Sequence, residues 1–314
     1  MTRQQWMADA SLLVIAAIWG GTFVMVKDAV QAFPVFAFLT VRFSIATISL
    51  LAVRSWLETR YPFLQAPPSL PARQSVMVGG VLGLVLTAGY GFQTLGLQYT
   101  TPAKAGFITG LSVVLVPALA AAFSRHRPEG SVQVGVSLTT LGLGVLSLDG
   151  DWRPQYGDVL VLFCAFAFAL HILLTGRWAR YHPPLMLTAG QLGVTAALSG
   201  LLSWFWERPW PAITAPVLGA ALFTGLFAST LAFSVQTVAQ RFTPSTHTAL
   251  ILTTEPVFAA AFSVVWGAEP LTGRILLGGS LILLGMLAVE AVKISGGINR
   301  RQTSVHPPTG GPVR

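Results

Sequence analysis

The feature of this sequence that most constrains its fold is a series of apolar runs, each long enough to cross a lipid bilayer. A membrane-spanning helix needs about 20 apolar residues, and proline-containing segments around Pro34, Pro102 and Pro270 separate runs of this length. The ten runs lie near residues 10–30, 35–53, 75–98, 103–123, 132–148, 157–175, 185–205, 215–239, 245–265 and 271–292. The sequence therefore predicts an all-α integral membrane protein with ten transmembrane helices.

The charge content supports a membrane environment and argues against a nucleic-acid partner. Only 10% of the residues are charged, whereas a soluble domain usually carries about 25%. The net charge is +8, but the basic residues lie singly or in pairs between the apolar runs rather than in a phosphate-binding stretch. The one cysteine, Cys164, excludes an intramolecular disulfide and a cysteine-based metal cluster. We therefore expect no metal and no cofactor.

The distribution of lysine and arginine predicts the orientation in the membrane. With the N-terminus in the cytoplasm, thirteen of these residues lie in the cytoplasmic segments and five in the outer segments. This excess satisfies the positive-inside rule. Both termini are then cytoplasmic, as an even number of spans requires. Lys27 and Asp28 follow the apolar core of the first run, residues 11–26, where a signal peptide would carry a small-residue cleavage site, so the first run is expected to be a retained helix.

An internal repeat divides the chain into two halves. An offset of 143 aligns residues 93–148 with 236–291, and it places Gln93 opposite Gln236. An offset of 149 aligns the front of each half and places Pro34 opposite Pro183. Because each half holds five helices, an odd number, the second half enters the membrane from the opposite side, which is typical of transporters. We predict repeats at 10–148 and 157–292, followed by a disordered cytoplasmic tail at 296–314.

Several motifs in this order resemble the EamA domain of the drug/metabolite transporter superfamily. AAIWGGTFVMVK, followed by P-x₄-L-x₂-R-F, is similar to the start of that domain. GLQYTTPAKAGFITGL and AQRFTPSTHTALILTTEPVFAAAF are similar to the junctions of the third and fourth and of the eighth and ninth helices. The resemblance covers residues 10–292. It implies a ten-helix permease of the bacterial inner (plasma) membrane that exports amino acids or related small metabolites.

A glutamate followed by a proline lies near the middle of the predicted ninth helix. A carboxylate at the bilayer centre costs about 2.5 kcal/mol or more unless it is protonated, paired or turned to water. Pro256 removes a backbone donor and is expected to break the helix, and Pro117 is expected to do so in the first repeat. Glu255 either binds a substrate amine, carries a coupling proton, or has a structural role at the break. The sequence leaves these roles open.

Arg42 is the second charged residue inside a predicted span. It either reaches out to the membrane surface, pairs within the bundle, or binds a substrate carboxylate. Together with Glu255 it would suit a zwitterion such as an amino acid. His171 is a candidate proton carrier in a cavity, because imidazole titrates near neutral pH. His247 occupies the repeat position of Lys104 and is expected to act at a helix end.

Four further residues complete the candidate substrate path. Gln93 and Gln236 are expected to bond between helices in a symmetric manner, since a buried amide needs partners. Tyr90 and Trp19 either line an aromatic or amphipathic substrate or pack in the bundle and its interfacial belt.

We predict a secondary transporter that works by alternating access between the repeats, with a proton as the candidate coupling ion. The sequence contains no GxxxxGK[ST] loop for ATP binding. A carrier of drugs or of lipid-linked sugars with the same fold is an alternative. An integral-membrane enzyme acting on lipid is a further alternative, but HExxH is absent and the acidic segment 149–158 is better explained as a solvated loop. The expected partners are a small metabolite and the lipid bilayer, with a homodimer left open.

Overall fold

The chain folds into a bundle of α-helices joined by short connections. The structure, a computed structural model, describes residues 3–65, 72–100, 102–124, 130–147, 155–265 and 271–303. Within these ranges no strand is present. The helices of the first half are α1 (Arg3–Gly20), α2 (Phe23–Ala32), α3 (Val35–Arg60), α4 (Ala72–Tyr99), α5 (Pro102–Gly110), α6 (Ser112–Ser124) and α7 (Gly130–Ser147). The helices of the second half are α8 (Tyr156–Trp178), α9 (Pro184–Trp206), α10 (Ala215–Gly225), α11 (Ala232–Ala239), α12 (Ser245–Leu252), α13 (Glu255–Val265) and α14 (Gly273–Thr303).

Several of the predicted spans are interrupted rather than continuous. Short breaks separate α1 from α2, α5 from α6, and α12 from α13. A π-helical segment, Leu226–Leu231, joins α10 to α11. In each case the interruption brings polar groups or loosened backbone to the middle of an apolar segment, which membrane proteins tolerate only inside the protein or beside a cavity.

The helices confirm an integral membrane protein. Seven helical segments of the described chain are long and apolar enough to cross a membrane: 3–32, 35–60, 73–99, 104–123, 156–178, 184–206 and 215–239. Two further apolar stretches, 130–145 and 273–288, are shorter, and α12 and α13 form a broken pair. The outer surface carries exposed apolar side chains that suit contact with lipid, among them Ile48, Trp56, Leu84, Phe123 and Phe205. The count of ten spans stays a prediction.

Glycines allow the closest contacts between helices. A Cβ atom at Gly142 of α7 would lie 2.7 Å from the carbonyl oxygen of Gly278 in α14. A Cβ atom at Gly79 of α4 would lie 3.1 Å from Cα of Gly190 in α9. Side chains at these positions would push the backbones apart, so the glycines set the helix spacing around the bundle.

Two predicted segments extend beyond what the structure describes. Helix α14 continues to Thr303, past Gly296, where the predicted tail begins, and the chain has no proline between Pro270 and Pro307 that would end the helix earlier. Residues 296–303 of the predicted tail are therefore helical, and residues 304–314 lie outside the described residues. Most of the acidic segment, 148–154, also lies outside them.

Candidate functional site

A cavity lies between the two halves of the bundle, at the level of the helix breaks. Residues of all three breaks line it, including Thr22, Ser112 and Glu255. Of the eight residues predicted to form the substrate or proton path, all except His247 line this cavity: Trp19, Arg42, Tyr90, Gln93, His171, Gln236 and Glu255. Residues that are distant in the sequence and belong to both repeats therefore share one site.

The break between α12 and α13 places Glu255 at the cavity. The Thr254 amide donates to the Ile251 carbonyl over 3.0 Å, three residues back instead of four, so the α-helix stops at Leu252. The Thr253 and Thr254 hydroxyls donate to the carbonyls of Ala249 and Ile251 over 2.6 and 2.7 Å. These bonds occupy backbone acceptors near the end of α12.

Pro256 follows the break, where a proline costs little. It is the second residue of α13, and the first amides of a helix have no partner within it. Glu255 begins the same helix, whose positive end favours a carboxylate. Among the residues that the structure describes, the Glu255 carboxylate accepts no hydrogen bond and forms no ion pair, so its oxygens are available to a cargo or a proton.

The break between α5 and α6 occupies the matching position of the first repeat. We call two residues repeat mates when the offset of 143 or 149 aligns them. Leu111 donates from its amide to Ile108 over 3.1 Å and separates Gly110 from Ser112. Ser112 is the repeat mate of Glu255, and both line the cavity.

The predicted break at Pro117 is wrong. Pro117 lies inside α6, which runs from Ser112 to Ser124 without interruption. A proline removes one backbone donor, and at this position that loss does not end the helix. The break lies earlier, at Leu111, where the backbone bonds span three residues instead of four.

Arg42 lies in the interior of the bundle and does not reach the membrane surface. Only 2% of its surface is exposed. Its Nε donates to the Ser229 hydroxyl over 2.9 Å, and its NH2 group donates to the Tyr90 hydroxyl over 3.3 Å. The guanidinium carbon lies 4.6 Å from the centre of the Tyr90 ring and 5.2 Å from that of Phe43. Ser229 belongs to the π-helical segment, so Arg42 joins the two repeats.

Four aromatic rings form a symmetric group along the cavity. The ring centres of Trp19 and Phe233 are 5.5 Å apart, and those of Phe168 and Tyr90 are 5.3 Å apart. Trp19 is the repeat mate of Phe168, and Tyr90 is the repeat mate of Phe233, so each pair is the counterpart of the other. Tyr90 and Phe233 also meet each other at 6.0 Å. The rings give the cavity a broad apolar wall that both repeats build.

His171 is buried and bonded to a residue that the sequence did not single out as a site candidate. Its Nε2 lies 2.6 Å from Oε1 of Gln191 on α9. Because an amide oxygen only accepts, Nε2 carries the proton in this contact. Gln191 is fully buried and is the repeat mate of Arg42, and this shared position is the signal in the sequence that could have identified it.

The two glutamines differ, against the expectation of symmetric bonds between helices. Gln93 donates to the Thr109 hydroxyl of α5 over 3.2 Å, which joins two helices. Gln236 donates to Gln240 four residues further on, over 3.3 Å. The repeat mate of Thr109 is Leu252, whose apolar side chain offers no acceptor. The prediction is therefore wrong for Gln236.

His247 lies away from the cavity, in the first turn of α12. Its Nε2 is 3.3 Å from Oδ2 of Asp9, and the other oxygen of Asp9 accepts a hydrogen bond from Thr243 over 2.6 Å. Asp9 is buried although it comes before the first predicted span, so its interior position was missed. Within the described residues no group of three or more His, Cys, Asp or Glu side chains could hold a metal ion.

Comparisons with known proteins agree with this arrangement. A model of the EamA-like transporter family matches residues 6–148 and 155–290. A protein of Archaeoglobus fulgidus, described as an uncharacterized transporter, is 36% identical over 283 residues, which cover 90% of this chain and 85% of that protein. The uncharacterized transporter YyaM of Bacillus subtilis is 23% identical over 292 residues, 90% of this chain and 92% of YyaM. A crystal structure of a protein 19% identical to this chain has a TM-score of 0.73 over 93% of this chain and 98% of its own, which shows a shared fold.

Proposed function

Because the chain belongs to the EamA-like transporter family, we propose that it is a secondary transporter of amino acids or related small zwitterionic metabolites. The observation that carries this proposal is a cavity, built from both repeats, whose lining includes, among the described residues, the cation Arg42 and the carboxylate Glu255. Within the described residues these two groups do not pair with each other. A cargo that bears both a carboxylate and an ammonium group would satisfy both.

The contacts of Arg42 leave room for a cargo carboxylate. A guanidinium has five N–H donors in a planar fork, and the Ser229 and Tyr90 contacts occupy two of them. A bidentate bond to a carboxylate needs two donors. The aromatic rings beside Arg42 supply an apolar surface for the side chain of the cargo, so the carboxylate, the ammonium and the side chain each have a partner.

Transport follows from alternating exposure of this cavity to the two sides of the membrane. The proposal places the protein in the bacterial inner membrane with ten spans and cytoplasmic termini, and it takes export as the direction. The α1–α2, α5–α6, α10–α11 and α12–α13 pairs each act as one span. Glu255 alternates between holding a proton and holding the cargo ammonium, which couples export to the proton gradient.

Efflux from proteoliposomes tests the proposal. Vesicles are loaded with labelled amino acids, sugars and cationic drugs, and efflux is measured with and without an imposed pH gradient. The control is the double variant Arg42→Gln/Glu255→Gln, which removes both charges and leaves a polar side chain at each position. Amino-acid efflux that the gradient accelerates and the double variant lacks is the expected result. Movement of drugs or of lipid-linked sugars without amino acids would overturn the proposed cargo.

A further inference from the structure

Two hydrogen bonds of identical chemistry join the repeats at two separate places. The Thr243 hydroxyl donates to Oδ1 of Asp9 over 2.6 Å. The Thr100 hydroxyl donates to Oδ1 of Asp158 over 2.5 Å. In each bond the aspartate belongs to one repeat and the threonine to the other. We call these two contacts the end latches.

The end latches are repeat mates of each other. Asp158 lies 149 residues after Asp9, and Thr243 lies 143 residues after Thr100. These are the two offsets that align the repeats. Asp9 lies in the second turn of α1 and Asp158 in the first turn of α8, and each threonine lies in the short connection that precedes a broken span. The contact was therefore duplicated as a unit, in backbone position and in chemistry.

The end latches lie on opposite sides of the cavity. Asp158 is in the first turn of α8. Further along α8, the carbonyl of Ile172 accepts a hydrogen bond from Gln240 over 2.8 Å, and that of Ala179 accepts one from Arg241 over 3.0 Å. Gln240 and Arg241 lie three and two residues before Thr243. Because 14 residues separate Asp158 from Ile172, the two latches are about 20 Å or more apart.

The cavity lies between these two levels. Phe168, His171 and Ile172 of α8, which line it, come after Asp158 and before Ala179, the residue whose carbonyl Arg241 contacts. On α1 the order is the same, because Asp9 precedes the cavity residue Trp19 by about 15 Å of helix. Each latch therefore closes the space between the repeats at one end of the cavity.

Burial strengthens the end latches, more at one end than at the other. Thr100 and Thr243 are 3% and 0% exposed and Asp9 is buried, whereas Asp158 is half-buried. A carboxylate that loses a donor pays a desolvation cost that grows with its burial, unless water replaces the donor. Breaking a latch therefore costs least when water enters at that end, which ties the bond to opening.

The second oxygens of the two aspartates have different partners. Oδ2 of Asp158 accepts a hydrogen bond from the Gln155 amide over 2.9 Å, which caps α8. Oδ2 of Asp9 faces Nε2 of His247 at 3.3 Å. At the Asp158 end, the Lys27 ammonium also donates to the Thr100 carbonyl over 2.9 Å. The shared part of both latches is the bond between the threonine hydroxyl and the aspartate.

We infer that the Asp9–Thr243 and Asp158–Thr100 latches are the two gates of the transport cycle, an inference that rests on the proposed alternating access. A state open at one end breaks the latch at that end and keeps the other. Since inverted repeats exchange roles between the two open states, the gates at the two ends need matching chemistry, and the latches have it.

The test uses a cysteine reporter and needs no knowledge of the cargo. Ser112→Cys is introduced at the cavity in a Cys164→Ala background, and its reaction with a membrane-impermeant maleimide is measured in right-side-out and in inside-out vesicles. Thr100→Val and Thr243→Val each remove one latch hydroxyl at constant shape. Thr224→Val is the matched control, because Thr224 is fully buried and its hydroxyl bonds only within its own helix, to Ala220.

We expect the two variants to increase maleimide labelling from opposite sides of the membrane. Thr100→Val raises labelling from one side of the membrane about two- to tenfold, and Thr243→Val raises it from the other side by a similar factor, the size expected for one hydrogen bond. Thr100→Ser and Thr243→Ser, which keep the hydroxyl, restore the pattern of the unmodified chain. A misfolded variant would not show a shift confined to one side.

Three outcomes would overturn the inference: a shift toward the same side in both variants, no shift in either, or an equal shift in Thr224→Val. The efflux panel separates this result from the proposed function. Amino-acid efflux with unchanged labelling would contradict the gate inference and support the proposed cargo. Opposite shifts in labelling without amino-acid efflux would support the gate inference and contradict the proposed cargo.

Discussion

The break between α5 and α6 and the break between α12 and α13 occupy the same position in their repeats but present different groups to the cavity. In the first repeat Leu111 interrupts the helix, and Ser112 follows. In the second repeat two threonines interrupt it, and Glu255 follows. The backbone geometry is thus repeated, whereas the charge is present only once.

The same contrast between features shared by both repeats and features present in one repeat holds around the cavity. The aromatic wall is matched across the repeats, since Trp19 corresponds to Phe168 and Tyr90 to Phe233. The ionisable groups Glu255, Arg42 and His171 are not matched, since their mates are Ser112, Gln191 and Thr22. The symmetric part builds the scaffold of the cavity and its apolar wall. The asymmetric part gives the cavity a charged pair with one orientation, and we expect specificity and coupling to depend on it.

The largest effect is expected from removing the charge that distinguishes the two breaks. Glu255→Gln keeps the size of the side chain and takes away the carboxylate. We expect gradient-driven efflux to fall about ten- to hundredfold, because a hydrogen bond to a charged group contributes about 1.5–3 kcal/mol. The measurement is efflux from proteoliposomes with and without a pH gradient.

Ser112→Ala, at the mate position, is the control for Glu255→Gln. It changes the first break and leaves the charge in place, so we expect a change of about threefold or less. Normal efflux with unchanged pH dependence in Glu255→Gln would assign the carboxylate a structural role. Equal losses in both variants would mean that the breaks matter as a pair and that their difference in charge does not.

The next largest effect is a selective loss of efflux for cargo that bears a carboxylate, caused by replacing Arg42 with the residue type of its repeat mate, Gln191. Arg42→Gln gives both repeats a glutamine at this position. We expect cargo with a carboxylate to lose about tenfold in efflux, because its charged partner is gone, while a decarboxylated amine analogue keeps most of its efflux. Equal losses for both compounds would show that Arg42 stabilises the bundle through Ser229 and Tyr90 instead of binding the cargo.

The sequence predicted the class of fold and the composition of the site because both depend on the cost of polar groups in an apolar run. Buried charges such as Glu255 and Arg42 are conspicuous in such runs, and they do line the cavity. The motifs also indicated the family, which the comparisons confirm.

Other features depend on contacts between helices and could not be predicted in this way. Gln93 bonds to Thr109 on another helix, but the repeat mate of Thr109 is Leu252, which has no acceptor. Gln236 bonds to Gln240 four residues further on instead. The break at Leu111 has no proline, and the preceding Gly110 is one of several glycines in the chain, so the sequence pattern does not distinguish this position from Pro117. Asp9 resembles an ordinary charge ahead of a membrane helix until its bond to Thr243 is known.

A third prediction concerns the contact that holds the second break in place. Gly20, the last residue of α1, packs against the first turn of α13, and a Cβ atom at Gly20 would lie 2.6 Å from the Glu255 carbonyl oxygen. Because backbone atoms cannot move aside, we expect Gly20→Ala to destabilise the protein by about 1–3 kcal/mol. The measurement is the midpoint of thermal unfolding in detergent.

Gly106→Ala on α5 is the matched control for Gly20→Ala. Among the residues that the structure describes, no atom outside the helix's own backbone lies within 4 Å of the added Cβ, and alanine favours a helix over glycine. We therefore expect unchanged or slightly raised stability. If Gly20→Ala were equally harmless, α1 would not restrain the break, and the position of Glu255 would depend on α12 and α13 alone.

The smallest effect concerns a pair of mates outside the membrane-spanning helices, Phe33 and His182. Phe33 lies in the connection before α3 and His182 in the connection before α9, and both side chains are buried. The Nδ1 atom of His182 lies 2.8 Å from the hydroxyl of Ser75. Burial lowers the pKa of His182 below its ordinary value of about 6.5. As the pH falls through that value, the unfolded chain binds a proton that the folded chain resists, so this contribution to stability is complete above about pH 6.5 and decreases below it.

We expect the unfolding midpoint to fall by about 2 °C or less between pH 7.5 and pH 5.5 through this residue. His182→Phe, which installs the residue of the first repeat, isolates the contribution, because the other histidines titrate equally in both proteins. The difference between the two pH profiles is the quantity to measure. A difference of the opposite sign, with the histidine protein gaining stability in acid, would mean that the folded state favours the charged imidazole. The two connections would then differ in charge as well as in shape, as the two helix breaks do.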